Sequence, residues 1–133
     1  ISSEIKKELL NPTKIYVKEI NKINEKKLIN GCAHITGGGL LNNTIRILPD
    51  NLCLNIDLSK VKIKPIFKWI KKNSIKDSEM LKTFNCGVGF CLIADKKNIN
   101  KIKSIFTNNY QPYEIGFISK EKAKIKTFGK LQW

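Results

Sequence analysis

The sequence predicts an α+β domain in which a mixed sheet is flanked by helices. Helical and strand-like segments follow one another without the strict rhythm of a doubly wound sheet. The 133 residues suffice for one domain with a genuine core and fall short of two, so residues 1–133 are read as a single unit. A nearly continuous apolar run from Cys86 to Ala94 supplies a central buried strand.

The elements follow in order. Ile1 to Leu10 is polar with a few apolar positions, a frayed helix or a remnant linker. Asn11 as cap and Pro12 after it open a helix over about 13–25, in which Tyr16, Ile20 and Ile23 recur at i, i+4, i+7. Cys32 to Thr36 is a short strand ending at a glycine loop. Leu40 to Leu48 is a short helix stopped by Pro49-Asp50-Asn51. Leu52 to Asp57 alternates apolar and polar with period two, the signature of a strand. Pro65 begins a helix whose Ile66, Phe67, Trp69 and Ile70 occupy more than one face and so require cover on both sides. Asp77-Ser78-Glu79 opens another, running to about Thr83. Beyond the buried strand, Ile99, Ile102, Ile105 and Phe106 mark a helix that ends at an Asn108-Asn109 turn. Tyr113 to Ser119 and Lys124 to Phe128 are two final strands.

Composition narrows the function. The net charge of +14 invites a nucleic-acid partner, yet all but one of the 25 basic residues are lysine, in a chain also crowded with Ile and Asn. Those three residues have A/T-rich codons, so coding bias explains much of the charge. The lysines are scattered and not interleaved with aromatics, which argues against a strand-binding platform. No apolar run reaches the roughly 18 residues of a membrane span, and no signal peptide opens the chain. The start at Ile1 rather than Met suggests, as an expectation, a fragment or processed product. Cys32, Cys53, Cys86 and Cys91 form no CxxC pair, and one histidine cannot complete a Cys/His zinc site. All four are read as reduced thiols of a cytoplasmic protein, and no metal site is expected.

Chemistry concentrates in His34-Ile35-Thr36-Gly37-Gly38-Gly39, where the only histidine precedes the only glycine triplet. Successive glycines let backbone N–H groups curl around an anion, most often a phosphate, and a following helix adds its dipole. The alternative is a tight turn that permits close helix packing. Imidazole titrates near neutrality, which suits His34 to acid–base work, although a histidine in a strand is commonly structural. Arg46, the single arginine, offers a planar donor fork suited to phosphate. A second constellation is Asn85-Cys86-Gly87-Val88-Gly89, where Asn85 can meet a ligand or cap a turn. The apolar context of Cys86 makes it an inert thiol. Asn42-Asn43-Thr44 matches a glycosylation acceptor by chance.

Five ordered blocks resemble one family. Leu10 to Lys18, Gly31 to Leu40, Arg46 to Pro49, Pro65 to Ile70 and Glu79 to Gly89 are similar to phosphoribosylformylglycinamidine cyclo-ligase (AIR synthetase), in its C-terminal half. There are departures: Lys14 stands where the family commonly has arginine, Cys32 where it has methionine, Asn42 where it has glutamate and Lys64 where it has a second proline. A lysine at position 14 binds an anion less directionally.

The resemblance implies an ATP-dependent ring closure. ATP phosphorylates the formyl oxygen of formylglycinamidine ribonucleotide, and an internal nitrogen then attacks to give the imidazole, ADP and phosphate. It further implies that the ATP motif lies in an N-terminal domain absent from this chain. ATP and Mg2+ would serve the full-length enzyme, a homodimer, with neither held by this chain alone. His34 is then the candidate catalytic group. Thr36, Gly37, Gly38, Gly39, Arg46, Asn85 and Gly87, with Thr13, Lys14 and Tyr16, are candidates for binding the ribonucleotide and its phosphate. Neither nucleic acid nor membrane is an expected partner. The alternatives are a related ATP-dependent enzyme of the same superfamily and a basic nucleic-acid-binding module.

Overall fold

A computed structural model describes residues 1–107 and 110–133. The Asn108-Asn109 turn expected from sequence lies outside the described residues. Six helices and five strands are described: α1 (Ser3–Leu10), α2 (Val17–Glu25), β1 (Gly31–His34), α3 (Gly39–Ile45), β2 (Cys53–Asp57), α4 (Pro65–Lys71), α5 (Asp77–Thr83), β3 (Phe90–Ile93), α6 (Ile99–Ile105), β4 (Gly116–Ser119) and β5 (Ile125–Phe128).

The strands form two small sheets. β1 and β3 make an antiparallel ladder in which Gly31 faces Ile93, Cys32 faces Leu92, Ala33 faces Cys91 and His34 faces Phe90. β2 is the centre of a mixed sheet, antiparallel to β4 and parallel to β5. The predicted α+β class with a mixed sheet holds, and the period-two reading of β2 is right in position. Its pattern of cover differs: Cys53, Leu54, Asn55 and Ile56 are all buried. Asn55 is accommodated because its amide donates to the Ser119 hydroxyl at 2.8 Å.

Two cores flank the β1–β3 ladder. Opposed residues share a face, so Ala33, Cys91 and Ile93 point one way and Leu92 the other. The first set joins a larger core with Ile35, Leu40, Leu54, Ile56, Met80 and Leu81. Leu92 and Ala94 join a smaller one around Ile23 of α2, Ile102 of α6, and Leu28 and Phe106 just beyond those helices. The ladder is a partition.

Several expectations are corrected. The first ten residues are a docked helix: the Ser2 hydroxyl accepts from the Ile5 N–H, Ile5 is buried, and Glu8 pairs with Lys64 at 3.1 Å. Asn11 closes that helix instead of opening the next, its N–H donating to the Glu8 carbonyl. Pro12 cannot prolong α1, and α2 starts only at Val17. The run 86–94 is a strand only from Phe90. Cys86 and Gly87 have φ of 51° and 106°, left-handed values that no strand tolerates, so the apolar residues before Phe90 are buried in a turn. β3 pairs with β1 alone and is not a central strand. No residue of α4 is fully buried, and Trp69 lies exposed, so that helix lacks the two-sided cover its composition suggested. The last two strands are shorter than expected, because β4 begins only at Gly116 and β5 at Ile125.

Candidate functional site

The ends of β1 and β3 bring the two sequence constellations together. Past His34 the ladder continues by one bond, from the Ile35 N–H to the Gly89 carbonyl at 3.0 Å. Residues 34–38 therefore run beside the turn that leads into Phe90. Segment 13–16 approaches from the side, since Tyr16 packs against both His34 and Phe90.

The glycine triplet is divided. Gly37 is exposed, and a Cβ on it would meet nothing within 4 Å. Gly38 is left-handed at φ 95° and turns the chain into α3. Gly39 is buried against α5, and its N–H donates to the Thr36 carbonyl at 3.1 Å. That donor is engaged inside the turn, so the packing reading holds at Gly39, while the backbone at Gly37 stays open. Thr36 is exposed beside Gly37.

Asn43 holds the turn, and sequence reasoning missed it. Its amide nitrogen donates to the carbonyls of Gly39 (2.7 Å), Gly37 (3.2 Å) and Thr36 (3.4 Å) while the residue is 8% exposed. The available signal was its place one helical turn after the triplet, where an amide can reach back over Gly39.

The second turn is self-contained. The Asn85 side-chain oxygen accepts from the Gly87 N–H at 2.9 Å, and the Asn85 carbonyl accepts from Val88. Gly87 passes close to Lys62, whose carbonyl oxygen would lie 2.5 Å from an added Cβ. Asn85 thus serves as a turn-former with Gly87 beside it, and neither lines the cleft. Burial pushes the Cys86 thiol up to about 11, with the charge of Asp77 adding to the effect, consistent with an inert thiol.

The remaining candidates separate into two groups. Thr13 and Lys14 lie exposed on the connection before α2, and the Lys14 ammonium sits 4.7 Å above the Tyr110 ring. Tyr16 has its ring 5.2 Å from Phe90, 6.2 Å from His34 and 6.3 Å from Tyr110. Burial, followed by the nearby Tyr110 phenol, raises the pKa of its hydroxyl. Lys14 and Tyr16, with Ile20, Asn21, His34 and Phe90, line a cleft of about 280 Å3, and Thr13 is not part of its lining. Arg46, by contrast, caps the far end of α3, about 10 Å along the axis from the glycines. The structure does not bring it into the glycine turn. A shallower hollow of about 550 Å3 between Asp50 and Lys122 contains none of the predicted residues.

His34 is exposed at the end of β1 and stacks on Phe90, ring centroids 5.7 Å apart and planes 23° apart. Neither Phe90 nor Tyr110 was singled out from sequence, because their pairing with the site is long-range. Among the described residues no three of His, Cys, Asp and Glu gather as metal ligands, and no helix is long and apolar enough to cross a membrane.

A family model described as AIR synthase related protein, C-terminal domain, matches residues 2–127. Curated relatives named phosphoribosylformylglycinamidine cyclo-ligase, from Streptococcus pneumoniae serotype 4 and strain Hungary19A-6, are each 42% identical over 120 residues. That alignment covers 90% of this chain and 35% of each relative, so the chain spans about a third of their length.

Proposed function

The chain belongs to the family of AIR synthase related protein C-terminal domains, and from that membership we propose that it forms one wall of the active site of an ATP-dependent cyclo-ligase. The substrate is formylglycinamidine ribonucleotide, and the products are the aminoimidazole ribonucleotide, ADP and phosphate. The observation that carries the reading is convergence: three matching blocks, at 13–16, 34–38 and 85–89, meet at one end of the β1–β3 ladder. Such a surface is what a shared ligand requires and what scattered structural motifs do not.

Each residue has a part in this reading. The exposed backbone at Gly37 and Gly38, with Thr36 beside it, receives the ribose phosphate. Lys14 supplies a neighbouring positive charge, Tyr16 lines the cleft, and Thr13 precedes them on the same connection. His34 contacts the phosphate or moves a proton as the ring closes. Asn85 and Gly87 shape the adjoining turn, and Arg46 stands outside this cluster. These donors offer no carboxylate, so they do not fit a Mg2+ ion. Mg2+ and the ATP phosphates are assigned to an N-terminal domain facing this surface. The complete enzyme is taken as a cytoplasmic homodimer, the compartment on the strength of four unpaired cysteines and the dimer on the resemblance.

The reading is tested by ADP release dependent on formylglycinamidine ribonucleotide. The complete enzyme turns over, and the isolated 133-residue chain does not. Robust turnover by the chain alone overturns the two-walled site, and absence of substrate-dependent ADP release from the complete enzyme overturns the cyclo-ligase assignment. In the complete enzyme, His34→Ala lowers kcat/KM by about 100-fold. A rate and affinity near those of the wild type return His34 to a structural role.

A further inference from the structure

We propose that Phe90 is the positioning residue for His34, holding the imidazole in the plane in which it meets the ribonucleotide. The inference rests on the reading of His34 as a substrate-contacting group.

The geometry is specific. His34 and Phe90 are directly opposed across the β1–β3 ladder, so their side chains leave the same face. The rings stack at 5.7 Å with a 23° tilt, and Tyr16 closes on both, 5.2 Å from Phe90 and 6.2 Å from His34. Tyr16 reaches this position because Gly89 has no side chain: a Cβ there would lie against the Tyr16 hydroxyl.

Two further observations give the stack its role. A working imidazole is ordinarily oriented by a hydrogen bond at its second nitrogen. Among the described residues, none hydrogen-bonds the His34 ring, so aromatic packing is what orients it. Phe90 is also absent from both hydrophobic cores, although it is one of the larger apolar side chains in the domain. Its ring lines the cleft instead. A structural phenylalanine would be expected to fill a core, and this one backs a histidine.

The test is a double-mutant cycle in the complete enzyme. Phe90→Leu keeps an apolar side chain but removes the ring, and is expected to lower kcat/KM about 10- to 100-fold while the thermal midpoint stays near the wild-type value. Phe90→Tyr restores the ring and most of the rate. The loss falls in the same parameter, kcat or KM, that His34→Ala alters, and the double variant Phe90→Leu/His34→Ala is no slower than His34→Ala alone. The His34 Cε1–H proton resonance moves downfield when the phenyl ring is lost. If the leucine variant loses its thermal transition, Phe90→Met takes its place, a flexible side chain of comparable size. Wild-type kcat/KM in the folded leucine or methionine variant, or losses that add in the double variant, overturn the positioning role while leaving His34 in the site. A fully active His34→Ala enzyme overturns the site reading itself, a distinct result.

Discussion

Gly39 lies so close to Leu81 that a Cβ built on it would stand 1.9 Å from the Leu81 carbonyl oxygen, at a φ of 68°. This contact lets α3 settle on α5, and both the clash and the left-handed backbone oppose any side chain. Gly39→Ala is expected to destabilise the fold by about 3 kcal/mol or more, read by urea denaturation. Gly37→Ala changes stability by less than about 0.5 kcal/mol, because nothing stands near the new methyl. If the proposed phosphate contact at Gly37 holds, the same substitution raises KM for the ribonucleotide in the complete enzyme by crowding that backbone. Equal destabilisation by the two substitutions contradicts this division.

Asn43→Ala removes the one side chain that ties Thr36, Gly37 and Gly39 together. The buried Gly39 carbonyl loses its donor at a cost of about 1–3 kcal/mol, while water can replace the donor at the more exposed Gly37 and Thr36 carbonyls. Asn43→Asp is more harmful, since a carboxylate then faces three carbonyl oxygens with no proton to offer. Thermal unfolding of both variants checks the order.

Thiol labelling separates the cysteines. Cys32 is half-buried, whereas Cys53, Cys86 and Cys91 are buried. Burial pushes the Cys86 and Cys91 thiols up to about 11, so their thiolates are scarce at neutral pH. A maleimide is expected to modify Cys32 first in the folded protein, with the other three reacting after unfolding. Peptide mass mapping of the early product decides it; early label on Cys86 or Cys91 contradicts the burial.

The same shifts give a sign for alkaline stability. Both thiols hold their protons more tightly in the folded chain than in the unfolded one, as do the Tyr16 and Tyr113 hydroxyls, chiefly because burial disfavours the anion. Stability from these groups is present below the unfolded thiol value near 9 and is lost as pH rises to about 11. Denaturation midpoints across that range should fall, and a flat profile contradicts the assignment.

Local signals in the sequence were read well where local rules suffice. The acidic opening of α5 and the alternation of β2 placed those elements closely, and the glycine triplet marked its turn. What failed was cover and pairing. The Cys86-Gly87 left-handed step cuts a convincing apolar run into turn and strand, and apolar content alone cannot reveal it. Asn11 and Pro12 fit the start of one helix as well as the end of another, and only the docking of α1 decides between them. In the site, His34 was visible as a lone histidine beside glycines. Phe90 is 56 positions further along the chain, and only the ladder register joins them. Asn43 was masked by its resemblance to a glycosylation acceptor.

The partition formed by β1 and β3 gives this end of the domain two lips of unequal compliance. The glycine lip is rooted in the larger core through Leu40 and the Gly39–Leu81 contact. The aromatic lip, with Tyr16 just before α2 and Phe90 on the ladder, lies outside both cores and meets the smaller one through Tyr110, which packs against it. Breathing of that smaller core reaches Tyr110, and through it Tyr16, before it reaches the glycine turn. The domain therefore pairs a firm glycine turn with a yielding aromatic jaw.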